Sequence, residues 1–185
     1  MGEVADLWTA RLHLRQPTDI DIDPIFDACQ DLDIQRFTLV PAPYTRGDAE
    51  FFVQVVATAD RSYVWVIRTR DADEFVGVVG FKDDEQGAAI GYWCAVAQRG
   101  RGYLGEAVAA VIDHGFGALG IDPISWSALV DNSVSARLAA TAGFRYTGRQ
   151  IETVRGIAND VHTALLRATD SRQPRRWPDD VTGRG

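Results

Sequence analysis

Arg99-Gly100-Arg101-Gly102-Tyr103-Leu104-Gly105-Glu106 is the stretch that decides how the chain reads. A strand-like segment, Ile90 to Val96, runs before it. After it, Leu104, Val108, Val111, Ile112 and Leu119 recur at helical spacing. A glycine-rich loop between a strand and a helix leaves backbone N–H groups unpaired. The aligned peptide dipoles add partial positive charge there, so such a loop can hold a phosphate or pyrophosphate. Glycine has no Cβ to block an approaching anion, and Arg99 and Arg101 bring forked, fixed charge. A tight turn that merely starts a helix is the alternative, and the spacing alone does not separate the two.

The 185 residues suit one domain with a sizeable core. Hydrophobic residues make up 46% and charged residues 24%, an ordinary balance for a globular protein. A formal charge of -7 argues against broad nucleic-acid binding, which calls for a basic surface. It suits a cationic amine substrate, and equally plain solubility. The two cysteines, Cys29 and Cys94, fall in apolar patterns without metal-ligand spacing, and buried free thiols in a reducing compartment account for them. No leader pattern is seen at the start, and no apolar run reaches the about 18 residues of a membrane span. The expectation is a cytoplasmic protein with no nucleic-acid or membrane partner. His13, His114 and His162 are scattered, so no metal is expected, though His162 could line an acceptor face.

Taken in order, Ala10–Arg15 alternates as a first strand. Asp23-Pro24 reads as the cap and first residue of a helix. Thr45, with Asp48 three residues on, reads as a capping box opening a second helix. Ser62–Thr69, Phe75–Phe81 and Ala88–Val96 form a meander around polar turns. The helix after the glycine loop stops before Pro123, and Ile124–Val130 is a strand. Asp131 can cap a further helix, which Gly143 ends. Phe144–Glu152 and Asp160–Arg167 are two closing strands. Residues 1–168 are read as a single domain, and the polar stretch 169–185 as a loosely held tail. The order implies a mixed α/β (α+β) sheet, mostly antiparallel with some parallel pairing, flanked by helices. No acidic residue follows the loop at ribose distance, so a dinucleotide fold is disfavoured. No Gly-Lys-Ser/Thr ends it, so a nucleotide P-loop is weak.

These residues resemble the GNAT superfamily of acyl-CoA N-acyltransferases over roughly Arg11 to Arg167. The family's phosphate motif, Gln/Arg-x-x-Gly-x-Gly/Ala, is matched from Arg99 to Leu104, with Leu104 where a small residue is usual. In the branch similar to the ribosomal-protein N-terminal acetyltransferases, the RimJ/RimL group, larger residues occur there. Further matches to that branch run in order. They are Tyr44-Thr45-Arg46-Gly47-Asp48-Ala49-Glu50, Ile90-Gly91-Tyr92-Trp93, Gly105-Glu106-Ala107, Asn132-x-x-Ser135 and Ala142-Gly143-Phe144.

The resemblance implies a seven-stranded sheet splayed between its fourth and fifth strands, with about four helices. The pantetheine arm of coenzyme A lies in the gap, bonded to the backbone of Trp93 to Val96 as if it were a strand. A backbone N–H at Ala95 or Val96 would stabilise charge on the thioester oxygen. Arg99, Gly100, Arg101, Gly102, Leu104, Gly105 and Glu106 are the expected pyrophosphate site. Asn132 is expected to bind the pantetheine arm, against the alternative of a local helix cap. Many relatives use a tyrosine on this helix to protonate the leaving thiolate. None occurs between Val130 and Phe144, which leaves Ser135 as donor there, against a plain helix-surface serine. Glu152 is the candidate base, acting through water, against a solvent-facing glutamate.

The implied activity is transfer of an acyl group, most simply acetyl from acetyl-CoA as co-substrate, to a primary amine by direct attack. The acceptor is a protein N-terminus or a small molecule, shaped by Arg36–Tyr44 and the turn Arg155–Asn159. A CoA-binding or acyl-CoA-sensing module without turnover is the alternative from another class. A homodimer is left open.

Overall fold

In the computed structural model, residues 4–84, 87–154 and 156–183 are described. They form a mixed sheet with helices on both faces. The strands are β1 (Leu7–Trp8), β2 (Leu12–Arg15), β3 (Ser62–Thr69), β4 (Phe75–Asp84), β5 (Gly87–Cys94), β6 (Ile124–Leu129), β7 (Arg145–Val154) and β8 (Ile157–Leu166). The sheet order is β1-β2-β3-β4-β5-β6-β8-β7. Eight described strands take the place of the seven expected; the addition is β1, two residues paired antiparallel to β2 and too short to show a period.

Every neighbouring pair is antiparallel except β5 with β6. That parallel pairing joins only Ala88 to Ile124 and Ala89 to Ser125. Beyond it the two strands part, each still held on its outer side: β5 by β4 up to Cys94, and β6 by β8 up to Leu129. This is the expected splay, between the expected strands.

The helices are α1 (Ile22–Ala28), α2 (Leu32–Phe37), α3 (Arg46–Phe51), α4 (Tyr103–Gly117), α5 (Ser133–Thr141) and α6 (Asp179–Thr182). Alternation along the strands sorts them onto two faces. Val64, Val66 and Val78 pack with Ile22, Ile25, Ile34, Ala49 and Val53 of α1–α3 and the turn after them. Trp65, Ile67, Val79 and Ile90 pack with Val108, Val111 and Ile112 of α4 and with Ala136 and Ala139 of α5.

The capping box at Thr45 forms as expected, its side chain taking the Asp48 N–H while the Asp48 carboxylate accepts from the Thr45 N–H. The start of α1 differs from expectation. Asp21, not Asp23, precedes the helix, and Pro24 is its third residue. Asp21 is fully buried, and its carboxylate accepts from Arg15 at 2.7 and 2.9 Å and from Arg68 at 3.1 Å. A buried carboxylate so paired fixes the turn, and a short 3-10 segment, Asp19–Asp21, leads in.

The stretch after residue 168, read as loose, packs against the domain over its described part. Trp177 is 4% exposed and Val181 2% exposed, both within the α4–α5 core. The Trp177 indole N–H donates to the Phe144 carbonyl at 2.9 Å, and the Arg175 N–H to the Ala140 carbonyl at 2.9 Å. Polar composition hid this, because one large aromatic carries most of the burial.

Candidate active site

The glycine loop is built from both ends. Gly100 and Gly102 take φ of 77° and 76°, the left-handed region that glycine enters without strain. A Cβ at Gly100 would meet nothing within 4 Å, so the loop faces open space there. The first bond of the α4 ladder runs from Glu106 N–H to the Gly102 carbonyl at 3.2 Å. The amides of residues 100–105 lie before that bond and have no acceptor among the described residues. They open a helix of 15 residues, whose dipole favours an anion. The arrangement fits a diphosphate.

The arginines of the loop divide their work. Arg99 is exposed but engaged within the chain: its Nε donates to the Cys94 carbonyl at 3.2 Å and its Nη2 to Asp31 at 2.6 Å. It thereby ties the start of α2 to the end of β5. Arg101 is exposed, with its carbonyl bonded by Arg11 Nη1 at 2.9 Å. Leu104 packs partly into the α4 core, and Gly105 lies against Leu138 of α5.

Glu106 has a different place from that expected. Its carboxylate accepts from Thr9 Oγ1 at 2.5 Å, the Arg11 N–H at 3.0 Å and Arg11 Nε at 2.7 Å. Its own amide is used within the helix, so neither group is turned to a ligand. Glu106 braces the loop instead. Arg11 joins it to Arg101 and lies over the Tyr103 ring at 4.7 Å. Burial alone would raise the Glu106 carboxyl; the bonds from Thr9 and Arg11 outweigh it and hold it below its ordinary range.

At the end of β5, the Ala95 N–H donates to the Val76 carbonyl of β4 at 2.9 Å, so it is not available to a thioester oxygen. The next amide, of Val96, is bonded to no carbonyl among the described residues. Val96 opens a short 3-10 segment, Val96–Gln98, and the first amides of such a segment have no partner within it. Cys94 is buried, its thiol pushed up by burial, and it donates to the Ala95 carbonyl at 3.6 Å.

Asn132 is the N-cap of α5, its Oδ1 accepting from the Ser135 N–H at 3.1 Å. Asp131 lies one residue earlier and pairs with Arg36 of α2, so the segment expected to shape the acceptor side is tied to the rim of the gap. Ser135 joins Tyr92 and Trp126, neither of which is an expected site residue. Its Oγ lies 3.2 Å from both the Tyr92 hydroxyl and Trp126 Nε1. Trp126 Nε1 donates to the Tyr92 hydroxyl at 2.9 Å, and that hydroxyl donates to the Ser135 carbonyl at 3.2 Å. Burial pushes the Tyr92 phenol up to about 12. A tyrosine is therefore at this helix after all, reaching over from β5. Its signal is the Ile90-Gly91-Tyr92-Trp93 motif, a family match that by itself gives no role to the tyrosine.

Glu152 on β7 accepts from Ser127 Oγ of β6 at 3.0 Å. Ser127 and Trp126 are consecutive on β6 and point to opposite faces. The structure therefore does not bring Glu152 and Ser135 together. It puts them on opposite sides of the strand that lines the gap. His162 is not on the Glu152 side. It pairs with Ala128, on the Trp126 face, is 5% exposed, and its Nδ1 meets the Tyr146 hydroxyl at 2.9 Å. Of the turn Arg155–Asn159, Arg155 lies outside the described residues.

Residues 11–145 match the family described as the acetyltransferase (GNAT) domain. The chain belongs to the GNAT acetyltransferase family. It is 31% identical over 148 residues to a Bacillus subtilis protein named uncharacterized N-acetyltransferase YoaA, covering 77% of this chain and 84% of that one. In fold it is similar to a GNAT-family acetyltransferase from Bacillus anthracis, with TM-score 0.77, 19% identity and coverage of 88% and 98%. It is likewise similar to RimL, a ribosomal L7/L12 α-N-protein acetyltransferase in complex with coenzyme A. There the TM-score is 0.75, the identity 20%, and the coverage 86% and 95%. The enzyme is an acyl-CoA-dependent N-acetyltransferase of this fold. Among the described residues, no helix is long and apolar enough to cross a membrane.

Proposed function

We propose that this GNAT enzyme transfers acetyl from acetyl-CoA to a primary amine, by direct attack while both substrates are bound. The observation that carries the reading is the row of partnerless amides at residues 100–105, set beside a gap with hydroxyl groups on one face and a carboxylate on the other. Acetyl-CoA supplies the activated acyl group as a thioester.

The amides of Gly100 to Gly105, with exposed Arg101, hold the diphosphate. The free edge of β5 around Trp93 to Val96, and the side-chain N–H2 of Asn132, hold the pantetheine amides. Val96 N–H, rather than Ala95, meets the charge that develops on the thioester oxygen. Glu152 takes a proton from the amine through water, so that the nitrogen lone pair can form the new C–N bond. As the C–S bond breaks, Ser135 gives its proton to the departing sulfur and recovers one from solvent. Proximity within the gap supplies much of the rate. Cys94 takes no part as a nucleophile, because its buried thiol has no base beside it among the described residues.

The acceptor side is the Glu152 face, closed off by the Arg36–Asp131 pair and the segment 36–44. The fold's likeness to the RimL enzyme supports an α-amine of a protein as one acceptor class, beside small-molecule amines. The free buried cysteines suit a cytoplasmic setting. The deciding experiment follows free-thiol release from acetyl-CoA against a panel of peptide N-termini and small amines. Saturable, amine-dependent release supports the reading. Tight coenzyme A binding without release for any amine favours a sensing module instead.

A further inference from the structure

Past Ala89–Ser125 the backbone of β5 and β6 no longer pairs, yet side chains rejoin the two strands. Trp126 Nε1 is the hub, 2.9 Å from the Tyr92 hydroxyl and 3.2 Å from Ser135 Oγ. An indole N–H only donates, so both oxygens act as acceptors toward it. Tyr92 spends its single proton on the Ser135 carbonyl at 3.2 Å. Ser135 Oγ in turn donates to the Tyr92 hydroxyl at 3.2 Å, a bond that the departing sulfur must take over while Trp126 keeps the serine oxygen in place. A hydroxyl whose oxygen already accepts a bond is also the better donor.

The indole is itself held from behind. Trp126 is 2% exposed, and the Trp177 ring stands 5.3 Å away at 62°, edge to face. Trp177 is fixed by its N–H bond to Phe144 and by the Tyr146 ring at 5.3 Å. The family match ends at residue 145, so this backing is supplied by chain beyond the matched part.

We propose that Trp126, backed by Trp177, is a positioning residue for acyl transfer: its N–H holds Ser135 Oγ so that the serine proton is presented to the departing sulfur. This rests on the role of Ser135 given above.

The test is a double-mutant cycle of Trp126→Phe with Ser135→Ala, read as kcat and KM for acetyl-CoA, with coenzyme A affinity by calorimetry. Losing one such hydrogen bond costs about tenfold in kcat, with KM and coenzyme A affinity within about twofold. In the Ser135→Ala background the same change has no further effect. A second variant, Trp177→Phe, keeps a ring but loses the bond to Phe144; it lowers kcat by about threefold, and that loss also disappears without Ser135. Equal losses in both backgrounds, or a loss confined to KM, overturn the positioning role and leave Ser135 as donor. A Ser135→Ala enzyme with unchanged kcat overturns both.

Discussion

Ser135 and Glu152 are hydrogen-bonded to groups on consecutive residues of one strand, Trp126 and Ser127, and so stand on opposite faces of β6. In the proposed roles of acid and base, two residues on opposite faces of one strand handle two separate protons. Their loss should therefore be separable. Ser135→Ala is expected to lower kcat by roughly 10²-fold with coenzyme A affinity unchanged. Glu152→Gln is expected to lower kcat/KM by a similar factor. Thiol-release kinetics across pH check both.

The Arg11–Glu106 brace predicts an effect on cofactor affinity rather than on chemistry. Glu106→Gln leaves the acceptors for Arg11 uncharged, and the acetyl-CoA Kd is expected to rise about three- to tenfold at neutral pH. The pH dependence follows from the lowered carboxyl. Its stabilising contribution is full above the ordinary glutamate value of about 4.3 and is lost as pH falls through the lower folded value. Calorimetric titration of coenzyme A should show affinity in the wild type holding to mild acid, and then falling.

Two glycines of similar appearance should respond in opposite ways to alanine. Gly102 sits at φ 76°, so Gly102→Ala is expected to cost about 1 kcal/mol of loop order and to weaken coenzyme A binding about fivefold. Gly117 has no positive φ, and a Cβ there meets nothing within 4 Å. Gly117→Ala is expected to raise stability by about 0.5–1 kcal/mol. Thermal melts with and without coenzyme A separate the two.

What could be read in advance was what repeats locally. The gap between β5 and β6 follows from a strand ending near Val96 and another starting at Ile124, and the open loop from closely spaced glycines before an apolar helix. What could not be read depends on partners far along the chain. Glu106 looks like part of the loop until Arg11, 95 positions away, is seen to hold it. Asp23-Pro24 looks like a cap until Arg15 and Arg68 are seen to hold Asp21. Tyr92 looks like sheet until α5 packs beneath it, and Trp177 sits alone among polar residues that say nothing of the core it enters.

Acid should loosen the β7–β8 half. The His162 ring is held below its ordinary value, chiefly by burial and then by Arg149. The unfolded chain therefore binds its proton more readily, and stability is full above about pH 6.5 and declines below it. His162→Gln should flatten that part of the stability–pH curve, measured by denaturant unfolding at several pH values. Trp177→Ala, which empties a buried aromatic site, should cost about 3–5 kcal/mol at any pH.

The short seam between β5 and β6 makes the sheet a clothespin. Its pivot is at Ala88 and Ile124, and its jaws open toward Cys94 and Leu129, roughly 20 Å further along the strands. Gly87 and Pro123 are the handles, and a Cβ on Gly87 would press on the Pro123 carbonyl at 3.0 Å. The packing of Gly87 on Pro123 therefore sits directly beneath the seam from which the two strands diverge.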